Sequence, residues 1–551
     1  MFARRNLAKR AAAAALFVFL VAGCAHAPQP PAAQRFMVAA AHPLAAQAGF
    51  SVLKRGGSAV DAAIAAQAVL GLVEPQSSGI GGGAFLLHWS ERERSLRSYD
   101  GRETAPSAAR ADRFLQEDGS PLGFVEAVVG GRSVGVPGVL RMLELAHRRH
   151  GSLPWRELFQ YAILAAEDGF AMSPRLHAQL AAERFLRDDP LARSIFYRAD
   201  GRPAPVGSRI VNRQYGATLR RVAMYGADAF YRGDIARDIV GAVRAHPKPG
   251  DLSLEDLAAY RALEREPVCG PYREWRICSM GPPSSGGVAV LQILGLLERT
   301  AFARAPPHSA AAVHFFTEAG RLAFADRARY VADPGFAPVP TETLLSPSYL
   351  DKRARRIGER AMRRALPGDT EAAGTSHLSI VDPQGNVVAM TTTIENAFGS
   401  RIMVRGFLLN NQLTDFDFVP DGVNRVAPGK RPRSSMAPSV VFSSDGRLRL
   451  AIGSPGGPMI ISYVAKTLVG VLDWNLSLQA ATELPNFGVR NGPATLLEQG
   501  TPYAGLGSAL GERGHLVELV PLTSGLHGIE RVPGGWRGAA DPRREGVAKG
   551  E

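Results

Sequence analysis

Hydrophobic positions change period along this 551-residue chain. Up to about residue 366 most recur with helical spacing, and from Thr375 onward they group as strands. Pro43 suits a first helical turn and Gly56-Gly57 a stop, so a helix is predicted between them. Ser58 and Asp61 have capping-box spacing for a second helix, with Asp in place of the usual Glu. That helix is apolar nearly all round (Ala62-Ala63-Ile64-Ala65-Ala66), which predicts deep burial. After Pro75, Gly79-Ile80-Gly81-Gly82-Gly83 leads into a strand over 84–89. The run lacks the Lys-Ser/Thr of a phosphate loop and precedes a strand, so it reads as a tight turn. Further helices are predicted over 139–149, 158–168 and 308–330. A basic polar tract, 353–364, follows, and 368–374 reads as an exposed linker.

Past the linker, strands over 379–381 and 387–390 flank Pro383-Gln384-Gly385-Asn386. A second hairpin joins 440–442 to 448–452 through Ser444-Asp445-Gly446, and helices are predicted over 460–473 and 477–484. Strands between helical layers make a layered α/β sandwich. Residues after about Gly538 read as a loose basic tail with no assignable role.

The net charge of +13 includes Arg4, Arg5, Lys9 and Arg10; without them about +9 remains, scattered along the chain. No basic stripe with interleaved aromatics is present, so a nucleic-acid partner is not expected. The four cations precede an apolar run over 11–22 that is too short to span a bilayer. The run ends Val21-Ala22-Gly23-Cys24, which looks like a bacterial lipobox and predicts acylation of Cys24; the other reading is an ordinary cleaved signal. The expectation is a periplasmic protein held by a lipid anchor, on the outer membrane. Residues 25–35, rich in Pro and Ala, read as a tether.

Export makes the remaining cysteines informative. Cys269 and Cys278 flank a hairpin with its turn near Arg273-Glu274, which sets them opposite each other. A disulfide is expected, with two buried thiols as the alternative. The histidines offer no metal-ligand spacing, so no metal and no cofactor are expected.

The chemistry concentrates at Gly374-Thr375. Cutting this bond would leave Thr375 with a hydroxyl nucleophile and an amine base on one residue. The hairpin centre, between Gln384 and Gly385, puts Thr375 across from Ile394 to within one residue. Thr393 and Glu395 share a face and bracket that point. Gly453-Ser454-Pro455-Gly456-Gly457 follows a strand and precedes a helix, where several N–H groups can converge on one anion. Arg431-Pro432-Arg433-Ser434-Ser435-Met436 offers adjacent hydroxyls that could grip a carboxylate.

Together these segments resemble the γ-glutamyltranspeptidase family. Matching blocks run from Gly56-Gly57-Ser58-Ala59-Val60-Asp61 and Asp100-Gly101-Arg102-Glu103-Thr104-Ala105-Pro106 through Phe324-Ala325-Asp326-Arg327. They continue through Gly374-Thr375-Ser376-His377 and Asn410-Asn411-Gln412-Leu413-Thr414-Asp415 to Gly453-Ser454-Pro455-Gly456-Gly457. The resemblance implies a four-layer αββα N-terminal nucleophile hydrolase cut from one precursor. Its parts would be a signal (1–23), a tether (24–35), a large subunit (36–374) and a small catalytic subunit (375–551), which stay associated. It implies γ-glutamyl transfer from glutathione and other γ-glutamyl compounds to water, amino acids or peptides, through an ester on Thr375. Gly456 and Gly457 would stabilise the oxyanion and Thr393 would tune the nucleophile. Arg102, with Ser434 and Ser435, would hold the substrate α-carboxylate; Asp415, Gln412 and Glu395 would hold its α-ammonium. Some members carry Asn where this chain has Glu395. The span from Asp415 to Ser434 is too short for the lid of other members, so an open pocket is expected. Open-pocket relatives include acylases of cephalosporin or glutaryl amides, which supply the rival reading of substrate. An uncut, non-catalytic lipoprotein is the rival from another class.

Overall fold

Alternation along the strands sorts the hydrophobic side chains into three cores, and these cores define the layers. In the strand Val387–Asn396, Val387 and Ala389 pack on one face while Val388 and Met390 pack on the other. In Ser439–Phe442, Val440 and Phe442 share the core of Val387 and Ala389, while Val441 faces away. Two sheets therefore enclose one core between them and cover a helical layer each. The computed structural model describes residues 32–362, 373–419, 421–490 and 492–551. Cys24, the signal sequence, the tether up to residue 31 and the linker 368–372 lie outside the described residues.

The first sheet has seven antiparallel strands, in the order Val547–Gly550, Met37–Ala40, Ala373–Val381, Val387–Asn396, Gly83–Ser90, Ser95–Gly101 and Leu263–Arg265. The second has six, in the order Gly535–Ala540, His527–Val532, Leu448–Gly453, Ser439–Phe442, Trp275–Ser279 and Val268–Tyr272. Helices Pro43–Lys54, Ala59–Val73 and Val139–His150 cover the first sheet; Gly286–Glu298, Ala310–Tyr330 and Ile460–Leu472 cover the second. This is the predicted four-layer αββα sandwich.

Local predictions hold where capping and turn chemistry decide. Ser58 and Asp61 form the reciprocal capping box, and every residue of Ala59–Val73 is buried. Tyr272 pairs with Trp275, which leaves Arg273-Glu274 as the turn, and Cys269 and Cys278 face each other and are bonded. The glycine run is a close-approach element. A Cβ on Gly82 would stand 2.1 Å from the carbonyl oxygen of Thr393, so only glycine lets this loop lie against the strand Val387–Asn396.

Two expectations fail. Gly374 is not exposed: it is buried inside the strand Ala373–Val381. The C-terminal residues are not a loose tail. Val547–Gly550 is an edge strand paired to Met37–Ala40, Asp541 is buried, and Arg543 reaches Glu498 at 2.6 Å. Charge density misled the reading, because its cations meet buried carboxylates and carbonyls instead of solvent. The strands before Gly374 and those after it interleave in the first sheet, so the ladder joins both halves of the chain.

Candidate active site

The hairpin brings the candidate nucleophile to the rim of the inter-sheet core. Val381 pairs with Val387, and counting back sets Thr375 opposite Thr393, one residue from the predicted partner. The five-residue turn is responsible: the Asp382 carboxylate accepts from the backbone N–H groups of Gln384 and Asn386 and from the Asn386 amide. A bulge at Ile394 then shifts the register, so that Glu395 pairs with Gly374. Glu395 sits at φ 77°, a left-handed conformation that a non-glycine residue adopts at a cost of about 1–3 kcal/mol. Its N–H donates to Thr393 Oγ1 at 2.8 Å, and its carboxylate accepts from the Asn411 amide and from Thr414 Oγ1.

Thr375 Oγ1 and Thr393 Oγ1 lie 3.3 Å apart, and Thr393 Oγ1 donates to the Gly374 carbonyl oxygen at 2.6 Å. Both threonines line a cavity of about 420 Å³. Arg102, Glu395, Gln412, Asp415, Ser434, Ser435 and Gly457 line the same cavity. Gly456 stands next to Gly457 in the loop, and both have positive φ (136° and 55°) in the turn from strand Leu448–Gly453 into the helical segment that begins at Gly457. The two predicted cysteines lie elsewhere, at the edge of the second sheet.

The charged groups are held rigidly. Arg102 is buried, donating through Nη2 to Asp415 Oδ2 at 2.5 Å and to Arg433 O at 3.0 Å, and through Nε to Pro432 O at 3.1 Å. The two residues predicted to hold opposite ends of a substrate are thus ion-paired to each other. Gln412 Nε2 donates to the same Asp415 oxygen at 2.7 Å, which leaves Gln412 Oε1 as a buried acceptor with no partner among the described residues. Ser434 Oγ accepts from Met436 N, which leaves its proton available to an acceptor. Ser435 Oγ accepts from Arg327 Nη2 at 2.9 Å.

Three arginines escaped the sequence reading. Arg327 lines the cavity behind Ser435 and also reaches Ser285 Oγ at 2.8 Å; its matched block signalled it, without a role. Arg433 lines the cavity and pairs with Asp417 at 3.0 Å. Arg544 Nη1 donates to the Thr375 carbonyl oxygen at 3.1 Å; it was lost with the supposed tail. Behind Arg102, whose Nη1 lies 3.9 Å from Glu103 Oε2, the Glu103 carboxylate is fully buried with no hydrogen-bond partner among the described residues, and burial pushes it up to about 8 against the pull of Arg102.

A threonine at the start of a central strand, after a glycine carbonyl gripped by a second threonine, belongs in this sandwich to the N-terminal nucleophile hydrolases. A gamma-glutamyltranspeptidase family model matches residues 45–551, and the chain belongs to that family. The "Glutathione hydrolase proenzyme" of Bacillus subtilis (strain 168) is 35% identical, over 93% of this chain and 91% of its own. The "Acylase ACY 1 proenzyme" of Pseudomonas sp. (strain SE83) is 36% identical, over 94% of each. Among solved structures, a cephalosporin acylase from Bacillus halodurans superposes with a TM-score of 0.85 at 29% identity, covering 98% of this chain and 99% of its own.

Proposed function

We propose that this protein is a γ-glutamyltransferase and glutathione hydrolase that matures by cutting itself between Gly374 and Thr375. In the uncut chain, Thr375 Oγ1 attacks the Gly374 carbonyl carbon while Thr393 stabilises the charge gathering on its oxygen. The C–N bond breaks as the acyl group passes to Oγ1 and the hydroxyl proton goes to nitrogen, which frees the Thr375 amine; water then hydrolyses the ester, releasing the Gly374 carboxylate and restoring the Thr375 hydroxyl. A free α-amine has a reference pKa of about 8, close to what a base needs at neutral pH. It takes the Oγ1 proton as Oγ1 attacks the γ-carbonyl of the substrate. N–H groups at Gly456 and Gly457 stabilise the tetrahedral oxyanion, and the amine returns the proton to the departing nitrogen. Water or an acceptor amine then opens the γ-glutamyl ester. The interleaved ladder supports subunits that remain together after the cut.

The observation that carries the substrate assignment is the unpartnered Gln412 Oε1 beside the Asp415 carboxylate. Two acceptors on one wall suit an α-ammonium, which an acyl chain without an amino group does not supply. The guanidinium of Arg102 and the hydroxyls of Ser434 and Ser435 suit the α-carboxylate. The acylase reading draws on the relatives above and on the apolar wall of Phe124, Phe416, Phe418 and Val419. Turnover of γ-glutamyl-p-nitroanilide against its glutaryl analogue decides between them; equal or better use of the analogue would sink the γ-glutamyl assignment.

Export and lipid anchoring rest on the cationic and apolar stretches before Cys24. Palmitate labelling that is lost in a Cys24→Ser variant supports the anchor, and unchanged labelling removes it.

A further inference from the structure

The C-terminal segment carries a cation to the back of the nucleophile. Arg544 is half-buried, and its guanidinium is fixed by three carbonyl oxygens: Thr375 through Nη1 at 3.1 Å, Ser524 through Nε at 3.1 Å, and Thr523 through Nη2 at 3.3 Å. No carboxylate among the described residues forms an ion pair with it, although the charges around it are paired. Glu74 lies 3.5 Å from Arg175 Nε and accepts from Ser376 Oγ at 2.7 Å. Asp541 pairs with Arg543 at 3.1 Å, and Glu545 accepts from the Arg175 N–H. Tyr463 is buried against Gly456. On the cavity side, Arg102 is matched by Asp415 and Arg433 by Asp417, while Glu395 and Arg327 complete the rim. Arg544 is therefore the uncompensated charge in contact with the residue that bears the amine.

We infer that Arg544 is a positioning residue that orients Thr375 and keeps its freed amine deprotonated at lower pH. The inference rests on the reading of Thr375 as the nucleophile. An ammonium beside a fixed guanidinium is the disfavoured form, so the amine titrates lower than it would alone. Burial is the main force lowering Arg544, to about 9, and Arg175 acts in the same direction, so the guanidinium still carries its charge at neutral pH. A carbonyl clasped by the same guanidinium also fixes the direction in which the amine faces Oγ1. Proton transfer is unchanged in kind: Oγ1 gives its proton to the amine as the ester bond forms.

The test is the pH profile of kcat/KM with γ-glutamyl-p-nitroanilide for the processed parent, Arg544→Gln and Arg544→Lys. In Arg544→Gln the acid limb is expected to move up by about one pH unit, with Arg544→Lys restoring the parental limb. An unmoved limb in Arg544→Gln, whatever happens to the plateau, overturns the inference. Should Arg544→Gln remain uncut, Arg544→Lys decides: normal cleavage with the parental limb supports the charge, and an uncut or displaced Lys variant refutes it. A parent that neither cuts itself nor turns over would sink the nucleophile reading instead.

Discussion

Thr393 Oγ1 holds the Gly374 carbonyl oxygen at 2.6 Å while lying 3.3 Å from Thr375 Oγ1. In the proposed mechanism one hydroxyl thus touches both the carbonyl to be attacked and the attacking group. Its grip lies along the bond that must polarise for self-cleavage. Removing a donor from such a position typically costs on the order of a hundredfold in rate. Thr393→Val is expected to slow conversion of the precursor by about that factor, with Thr393→Ser close to the parent. The measurement is the time course of precursor and fragments on a denaturing gel. A Val variant that cuts at the parental rate would remove Thr393 from the step.

Asp415 is shared between Arg102 and Gln412, yet part of its side chain stays open to the cavity, at 24% exposure. The open face is what an ammonium would meet. Asp415→Asn keeps an acceptor for Arg102 but loses the negative charge. KM for γ-glutamyl-p-nitroanilide should rise by about 10- to 100-fold, the worth of a charge-assisted hydrogen bond. Use of the glutaryl analogue should hold or improve. Parallel losses on both substrates would mean that Asp415 only braces Arg102.

Cys269 and Cys278 join one edge strand of the second sheet to its neighbour, with nine residues of sequence separation. A loop this short restricts the unfolded chain modestly, by about 2–3 kcal/mol at most. The Cys269→Ala/Cys278→Ala pair should lower unfolding stability by no more than this, and leave kcat/KM of the folded protein unchanged. Working in an uncut Thr375→Ala background keeps unfolding to one covalent chain. A fall in kcat/KM of the processed double variant would show that this edge reaches the active site.

Period, caps and turns carried most of the architecture, because each is set by neighbours in sequence. Val387 to Met390 alternate as written, Ser58 and Asp61 cap as spaced, and Cys269 meets Cys278 across a turn that counting located. The candidate site was legible where the family blocks supplied roles. What stayed hidden depends on contacts between distant segments. The bulge at Ile394 and the left-handed Glu395 arise because strand Val387–Asn396 must meet Gly82 on one side and Gly374 on the other. Arg544 reaches Thr375 across 169 positions, and no local pattern encodes that meeting. Its own neighbourhood, rich in Arg, Asp and Glu, resembles solvated chain until the carbonyls that enclose it are known.

Glu103 makes the protein's stability depend on pH in a direction opposite to that of a salt-bridged carboxylate. Burial beside Gly83 raises it from the ordinary 4.5 to about 8, although Arg102 pulls the other way. Between those values the folded protein keeps a proton that the unfolded chain has released. Stability is therefore full below the lower value and declines as pH rises towards the higher one. Glutamine does not titrate, and it presents a neutral group of similar shape. Glu103→Gln, in the uncut background, should gain on its parent as pH rises, by a few kcal/mol once the folded carboxyl would have ionised. Urea midpoints for both proteins at about pH 5 and about pH 8.5 measure the gap. A gap that stays constant, or one that closes as pH rises, would mean that Arg102 holds Glu103 ionised in the fold.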